Sequence, residues 1–158
     1  NPFFGSGITA RGTGVLLNDQ MDDFDKRPGR ANSIEPGKKP LSSMSPTIAV
    51  KDGKAVFSAG ASGGPRIISS TLQVLLNMIV FGMTPTQAVD APRIHHQWVP
   101  EDLLLEPELF GQAGEKLKRF GHSTKKSSGL AASQAVSRQP DGLRGHSDPR
   151  KHGAAAGH

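Results

Sequence analysis

Apolar residues gather in the middle of the chain, where residues 67–81 form the longest run, broken by Ser69, Ser70, Gln73 and Asn77. Those polar positions recur at helical spacing and make one narrow stripe on an otherwise apolar surface, which predicts a largely buried helix. Upstream, residues 47–50 and 55–59 are short apolar runs on either side of Lys51-Asp52-Gly53-Lys54. Asp-Gly between two such runs predicts a β-hairpin. Its second arm leads into Ala59-Gly60-Ala61-Ser62-Gly63-Gly64-Pro65-Arg66, so the expected geometry is strand, tight glycine turn, helix. Gly63 and Gly64 lack Cβ atoms and can take positive φ close to another molecule. Pro65 suits the first helical turn, where its missing N–H costs nothing. Turn amides and a helix N-terminus together favour negative charge, and phosphate, carboxylate and oxyanion all remain open.

The remaining elements follow from turn and capping chemistry. Residues 14–17 read as a short buried strand before the polar cluster of residues 18–24, and Pro28, Gly29, Asn32, Pro36 and Gly37 make residues 25–39 a surface loop. Gly82 ends the long helix. Thr84-Pro85-Thr86-Gln87 is a capping box with Pro at the first helical position, opening a short helix that stops before Pro92. Residues 93–100 are irregular and residues 103–105 a strand. Leu109, Phe110, Ala113, Leu117 and Phe120 recur at steps of three and four, an amphipathic helix ended by Gly121. Residues 133–137 alternate as a strand, Pro140-Asp141-Gly142 is a turn, and residues 151–158 are a flexible tail. Phe3 and Phe4 at the very start imply that preceding residues of the same fold have been removed. Hairpin-paired strands with helices between them predict an α+β fold, a four-layer αββα sandwich in one domain over residues 1–158.

Composition narrows the chemistry. A chain of 158 residues can bury about 68–70% of its unfolded surface, enough for a core without staples. It has no Cys, hence neither disulfides nor thiolate metal ligands. The net charge of +5 is concentrated in the last third, but only Phe120 interleaves the basic residues and Tyr is absent, so this is a solvated basic surface and no nucleic-acid partner is expected. The apolar run is too short and too polar for a membrane span.

Gly60-Ala61-Ser62-Gly63-Gly64 matches the G-x-S-x-G nucleophile elbow, which would make Ser62 a hydrolase nucleophile. An α/β-hydrolase sheet needs more alternating strands and helices than this chain supplies. Gln20, Asp22 and Asp23 suit an ammonium group, and Ser42, Ser43 and Ser45 an anion. On extended chain Asp22 and Asp23 point to opposite sides, so at most one faces a given site. By spacing alone these read as solvated loop polars, and composition leaves a ligand-free glycine turn open. His95-His96 lacks metal-ligand spacing, and no metal site is expected.

Longer strings carry more. Asn1-Pro2-Phe3-Phe4-Gly5-Ser6, Gly14-Val15-Leu16-Leu17-Asn18-Asp19-Gln20-Met21-Asp22-Asp23-Phe24, Lys39-Pro40-Leu41-Ser42-Ser43-Met44-Ser45-Pro46-Thr47, Gly63-Gly64, Ala91-Pro92-Arg93-Ile94-His95-His96-Gln97-Trp98 and Ser147-Asp148-Pro149-Arg150 resemble, in order, the small subunit of γ-glutamyltranspeptidases. The resemblance implies an N-terminal-nucleophile hydrolase fold, made as a precursor that cleaves itself into large and small subunits. It implies a threonine that attacks the γ-glutamyl amide of glutathione or another γ-glutamyl compound, an acyl-enzyme, and transfer to water or to an acceptor amino acid or peptide. By motif, Asn1, Gln20 and Asp23 would contact the α-amino end of the substrate, and Ser42 and Ser43 its α-carboxylate, aided by an Arg of the large subunit. Gly63 and Gly64 amides would form the oxyanion hole, and Asp23 would favour an α-amino substrate over those of the related cephalosporin acylases. Ser62 stands where the family usually has Pro or Ala and is thereby a turn residue. The threonine would precede Asn1, so the chain alone is expected to be inactive. No cofactor is implied, and the expected location is periplasmic or extracellular. The alternative is a noncatalytic binding or scaffold protein derived from the same fold.

Overall fold

The computed structural model describes residues 5–157. The chain divides into two compact units, Asn1–Ser42 and Ser43–His158.

In the first unit side-chain hydrogen bonds stand in for regular structure. The strand expected over residues 14–17 is reduced to an isolated antiparallel bridge between Thr9 and Leu16, and Val15, Leu16 and Leu17 are exposed. Gln20–Asp23 forms a single 3-10 turn, followed by the buried ring of Phe24. Asn32 ties the loop beyond it together, donating to the Asp23 carbonyl at 2.8 Å and accepting from the Leu41 N–H at 3.0 Å. The buried Ser33 hydroxyl donates to the Arg27 carbonyl at 2.5 Å and accepts from the Arg30 N–H at 2.7 Å.

The second unit contains, in chain order, β1 (Thr47–Lys51), β2 (Lys54–Ser62), α1 (Arg66–Ile79), α2 (Pro85–Asp90), β3 (Ile94–His95), β4 (Asp102–Leu105), α3 (Pro107–Arg119), β5 (Ser123–Lys126), β6 (Ala132–Gln139) and β7 (Gly142–Ser147). A four-stranded antiparallel sheet has the order β1-β2-β6-β7, and a three-stranded sheet has the order β3-β4-β5. The β1–β2 hairpin turns on Asp52 and Gly53, with φ of 51° and 72°. Positive φ at both central residues is what a two-residue turn needs to match the right-handed twist of its strands. In the smaller sheet β4 and β5 are parallel, and α3 makes the crossover between them.

The core lies between the larger sheet and its helices. Ala59 and Ala135 from the sheet meet Val74 and Met78 of α1 and Ala88 and Val89 of α2, with Phe57, Leu75 and Met83 packed around them. Ile48 and Val136, which share the other face of the sheet by register, are exposed. The class is α+β, as the pattern predicted, but three local expectations change. Helix α1 is not largely buried: its covered positions are Ile67, Ser70, Thr71, Val74 and Met78, while Ile68, Leu72, Leu76 and Ile79 face outward. It begins at Arg66, with Pro65 at the cap position. Strand β2 runs on to Ser62, so Gly60 and Ala61 belong to the sheet and the turn is only Gly63, Gly64 and Pro65. Strands β5 and β7 escape a hydrophobic reading because they lie at sheet edges, where backbone pairing needs no apolar alternation.

The capping box of α2 forms as expected. Thr84 Oγ1 accepts from the Gln87 N–H at 3.3 Å, and Gln87 Oε1 accepts from the Thr84 N–H at 3.0 Å. Thr84→Ala should cost about 1 kcal/mol, read as a lower denaturant midpoint at constant slope; an unmoved midpoint would show that the cap contributes nothing.

Candidate active site

The glycine turn is built by two different constraints. Gly63 has φ +151° and sits so close to the start of β6 that a Cβ there would lie 2.8 Å from the Ala131 Cβ and 3.3 Å from the Leu130 carbonyl oxygen. Gly64 has open space around it but φ +59°, a conformation that costs an L-residue about 1–2 kcal/mol. Its carbonyl accepts from the Ile67 N–H at 3.1 Å, which starts α1. The turn peptides thus stand at the head of a helix, where partial positive charge gathers. A cavity of about 280 Å³ beside the turn is lined by Gly63, Arg66, His95 and Asp102. Buried His95 is committed on both ring nitrogens, Nδ1 to Ser69 Oγ at 2.7 Å and Nε2 to Gln97 Oε1 at 2.9 Å.

Ser62 is not the residue of a nucleophile elbow. It is paired with Ala132 in the sheet, and its Oγ contacts Lys151 Nζ at 3.4 Å instead of a histidine. Among the described residues no group of three or more His, Asp or Glu could hold a metal ion.

The predicted substrate residues fall in both units. In the first, Gln20 Nε2 donates to Asp23 Oδ2, so these two are brought together. Asp22 and Asp23 lie on a 3-10 turn and not on extended chain, yet they still diverge: Asp22 pairs with Lys26 at 2.8 Å on the exposed side, and Asp23 is half-buried. Ser42 is exposed at the end of that unit, and Asn1 lies outside the described residues. Ser43 belongs to the second unit. It is half-buried and lies four residues ahead of β1, whose first residue, Thr47, is opposite Ala59 of β2.

Pattern reading missed a buried cluster of four charges. Arg93 Nη2 pairs with Asp148 Oδ2 at 2.9 Å, Arg150 Nη2 with Glu106 Oε2 at 2.5 Å, and Arg150 Nη1 with Asp148 Oδ1 at 3.1 Å. Arg93, Glu106 and Asp148 are 1%, 4% and 1% exposed. The arginines also bind the carbonyls at the end of α2: both reach Val89, and Arg150 reaches Ala91 at 3.1 Å. Burial and the neighbouring Arg150 push the Arg93 pKa down from its ordinary value. Burial works against the ionised forms of Asp148 and Arg150, but for Asp148 the N–H groups of Ser133 and Arg150 and the charge of Arg93 prevail, holding its carboxyl below the usual range. For Arg150, hydrogen bonds to Glu106 and Asp148 prevail and raise it. The cluster's trace in the sequence is the pair of strings Ala91-Pro92-Arg93 and Ser147-Asp148-Pro149-Arg150, whose spacing by itself assigns no role.

A family model described as gamma-glutamyltranspeptidase matches residues 1–158. The chain belongs to the γ-glutamyltranspeptidase family. It is 43% identical over 161 residues to the glutathione hydrolase proenzyme of Escherichia coli and 41% identical over 164 residues to that of Pseudomonas aeruginosa, each match covering 95% of this chain. It spans only 28% and 29% of those two relatives. Among solved structures, γ-glutamyltranspeptidase from Pseudomonas nitroreducens superposes with a TM-score of 0.81 at 38% identity, over 99% of this chain and 88% of that one. Cephalosporin acylase from Bacillus halodurans superposes at 0.75 and 28% identity, over 98% of this chain and 30% of that one. The fold is therefore that of the γ-glutamyltranspeptidases, the N-terminal-nucleophile hydrolase type implied by the motifs, and this chain corresponds to the family's small-subunit portion.

Proposed function

We propose that this chain is the substrate-binding and oxyanion-stabilising part of a γ-glutamyltranspeptidase that cleaves γ-glutamyl amides such as glutathione. The observation that carries the proposal is the turn of Gly63 and Gly64, whose two glycine-only constraints set backbone N–H groups at the head of α1. A threonine hydroxyl from a residue N-terminal to Asn1 attacks the γ-carbonyl carbon, using its own α-amine as base. The carbonyl oxygen becomes an oxyanion that accepts from the Gly63 and Gly64 N–H groups. Collapse breaks the C–N bond, the amine leaves with the proton, and an ester remains. Water or an acceptor amino acid or peptide then attacks the ester and frees the threonine.

In this reading the Asp23 carboxylate, with Gln20 beside it and Asn1 completing the set, meets the substrate's α-ammonium. Ser42 and Ser43 donate to its α-carboxylate, joined by an Arg of the large subunit. A large subunit of the same precursor as partner is supported by the proenzyme names of the relatives and by the uncovered sheet face with Ile48 and Val136. A periplasmic or extracellular location belongs to the same proposal; no helix among the described residues is long and apolar enough to cross a membrane.

The test is expression of the precursor, with its upstream segment and large subunit, followed by an assay of γ-glutamyl-p-nitroanilide. Self-processing with release of p-nitroaniline is the expected result, and absence of both defeats the proposal. Within that enzyme Asp23→Ala should raise KM by about 30-fold or more, the scale of unpairing a buried charge contact. Asp22→Ala, which loses only the exposed pair with Lys26, should change KM by less than about 3-fold. Equal effects would show that the wrong carboxylate has been assigned to the ammonium group.

A further inference from the structure

Three charged side chains grip the backbone that leads into β6. Glu106 Oε1 accepts from the Leu130 N–H at 3.3 Å, Arg93 Nη1 donates to the Ala131 carbonyl at 3.0 Å, and Asp148 Oδ2 accepts from the Ser133 N–H at 2.7 Å. Arg150 locks the grip, its Nη1 and Nη2 bonding Asp148 and Glu106 while the same two nitrogens also donate to the Val89 and Ala91 carbonyls at the end of α2. Sheet pairing alone accounts for Ala132 and Ser133, opposite Ser62 and Ala61, but not for this investment in Leu130 and Ala131. Those two residues form the ledge against which Gly63 lies, the Ala131 methyl and the Leu130 carbonyl filling the space that a Gly63 side chain would take.

We propose that Arg93, Glu106 and Asp148 are positioning residues for the oxyanion donors, setting the Gly63 and Gly64 peptides through the ledge of Leu130 and Ala131. The inference rests on the reading of those peptides as the oxyanion hole. Donors stabilise a transient oxyanion only when held ready at hydrogen-bonding distance, and a misplacement of about 1 Å can cost about 10²-fold in rate. An apolar contact would restrain Leu130 and Ala131 in depth and let them slide sideways. Hydrogen bonds to a buried ion pair are directional and leave no such freedom. The four charges pair with one another without substrate, although Arg93 Nε is buried with no partner, so the ledge is set before substrate arrives.

The test uses the processed two-subunit enzyme, with kcat normalised to processed protein and γ-glutamyl-p-nitroanilide as substrate. Ala131→Gly removes the methyl that meets Gly63 and leaves every ion pair in place. Arg93→Lys keeps the charge and loses the planar fork that joins the Ala131 carbonyl to Asp148. Both should lower kcat about 10-fold with KM changed less than about 2-fold, as expected when only transition-state contacts weaken. The companion variant Gly64→Val tests the oxyanion reading directly. If it loses turnover while Ala131→Gly and Arg93→Lys keep theirs, positioning is overturned and the oxyanion hole stands. If Gly64→Val keeps its turnover, both fall. Proportional losses of kcat and of folded fraction, with thermal midpoints shifted to match, would assign the cluster to stability alone and overturn the proposal. Ala131→Gly keeps the test decisive even if Arg93→Lys remains unprocessed.

Discussion

Gly64→Val in the assembled enzyme is expected to lower kcat about 10²–10³-fold while KM stays within about 3-fold. Removing one oxyanion donor costs roughly 2.7–4 kcal/mol of transition-state stabilisation. The donor here is lost by displacement, because φ +59° is strained for a β-branched residue and rotating the peptide relieves that strain. The competing effect is strain on the fold, about 1–2 kcal/mol for an L-residue in left-handed backbone. It is smaller than the catalytic loss, and a total stability of roughly 5–15 kcal/mol absorbs it. The variant should therefore remain folded and processed but turn over slowly. Steady-state kinetics alongside thermal unfolding separate the two effects; unchanged kcat would remove the oxyanion role from this turn. Gly63→Ala should also depress turnover for a different reason, because its methyl meets the Ala131 Cβ at 2.8 Å and pushes turn and ledge apart.

Asp148→Ala should be the most destabilising change in the second unit. It leaves the guanidinium of Arg93, 1% exposed, without its direct counter-charge and the Ser133 N–H without an acceptor. Breaking a buried pair in this way costs about 3–5 kcal/mol, and for a chain of this length each kcal/mol lowers Tm by about 2–4 °C. A drop of about 10 °C is expected by calorimetry, and a drop under about 2 °C would show that the pair is not what holds Arg93 in place. Asp141→Ala offers the contrast: its pair with Arg144 is exposed on both sides, and its loss should be barely measurable. The cluster also sets a pH dependence. Asp148 has its pKa lowered in the folded state, so its stabilisation is complete above the unfolded value of about 3.9 and is lost as pH falls through the lower folded value. Below about pH 4 the parent protein should lose stability more steeply than Asp148→Asn, whose side chain does not titrate in that range.

The parts of the fold legible in the sequence are those set by neighbouring residues. Asp52 and Gly53 specify their turn through their own φ, Thr84 and Gln87 cap α2 across three residues, and the apolar spacing from Leu109 to Leu117 marks α3. The turn of Gly63 and Gly64 was legible as a tight turn leading into a helix, but its extent was not. Whether Gly60, Ala61 and Ser62 are turn or strand depends on the partners Gln134, Ser133 and Ala132, 70 to 74 positions away in the chain. Ser62 is a nucleophile candidate only while that pairing is ignored.

By itself the sequence determined the family, the α+β class, the hairpin and the α2 cap. These follow from local backbone preferences, from side-chain chemistry, and from long motif strings that chance does not reproduce. Tertiary structure alone decided which face of α1 is covered, why Gly63 admits no side chain, and that Arg93, Glu106, Asp148 and Arg150 meet in one buried cluster. Each of those facts is a contact between distant segments. Its energy comes from desolvation and directional hydrogen bonds that exist only once the chain has closed on itself, so no window of neighbouring residues contains it.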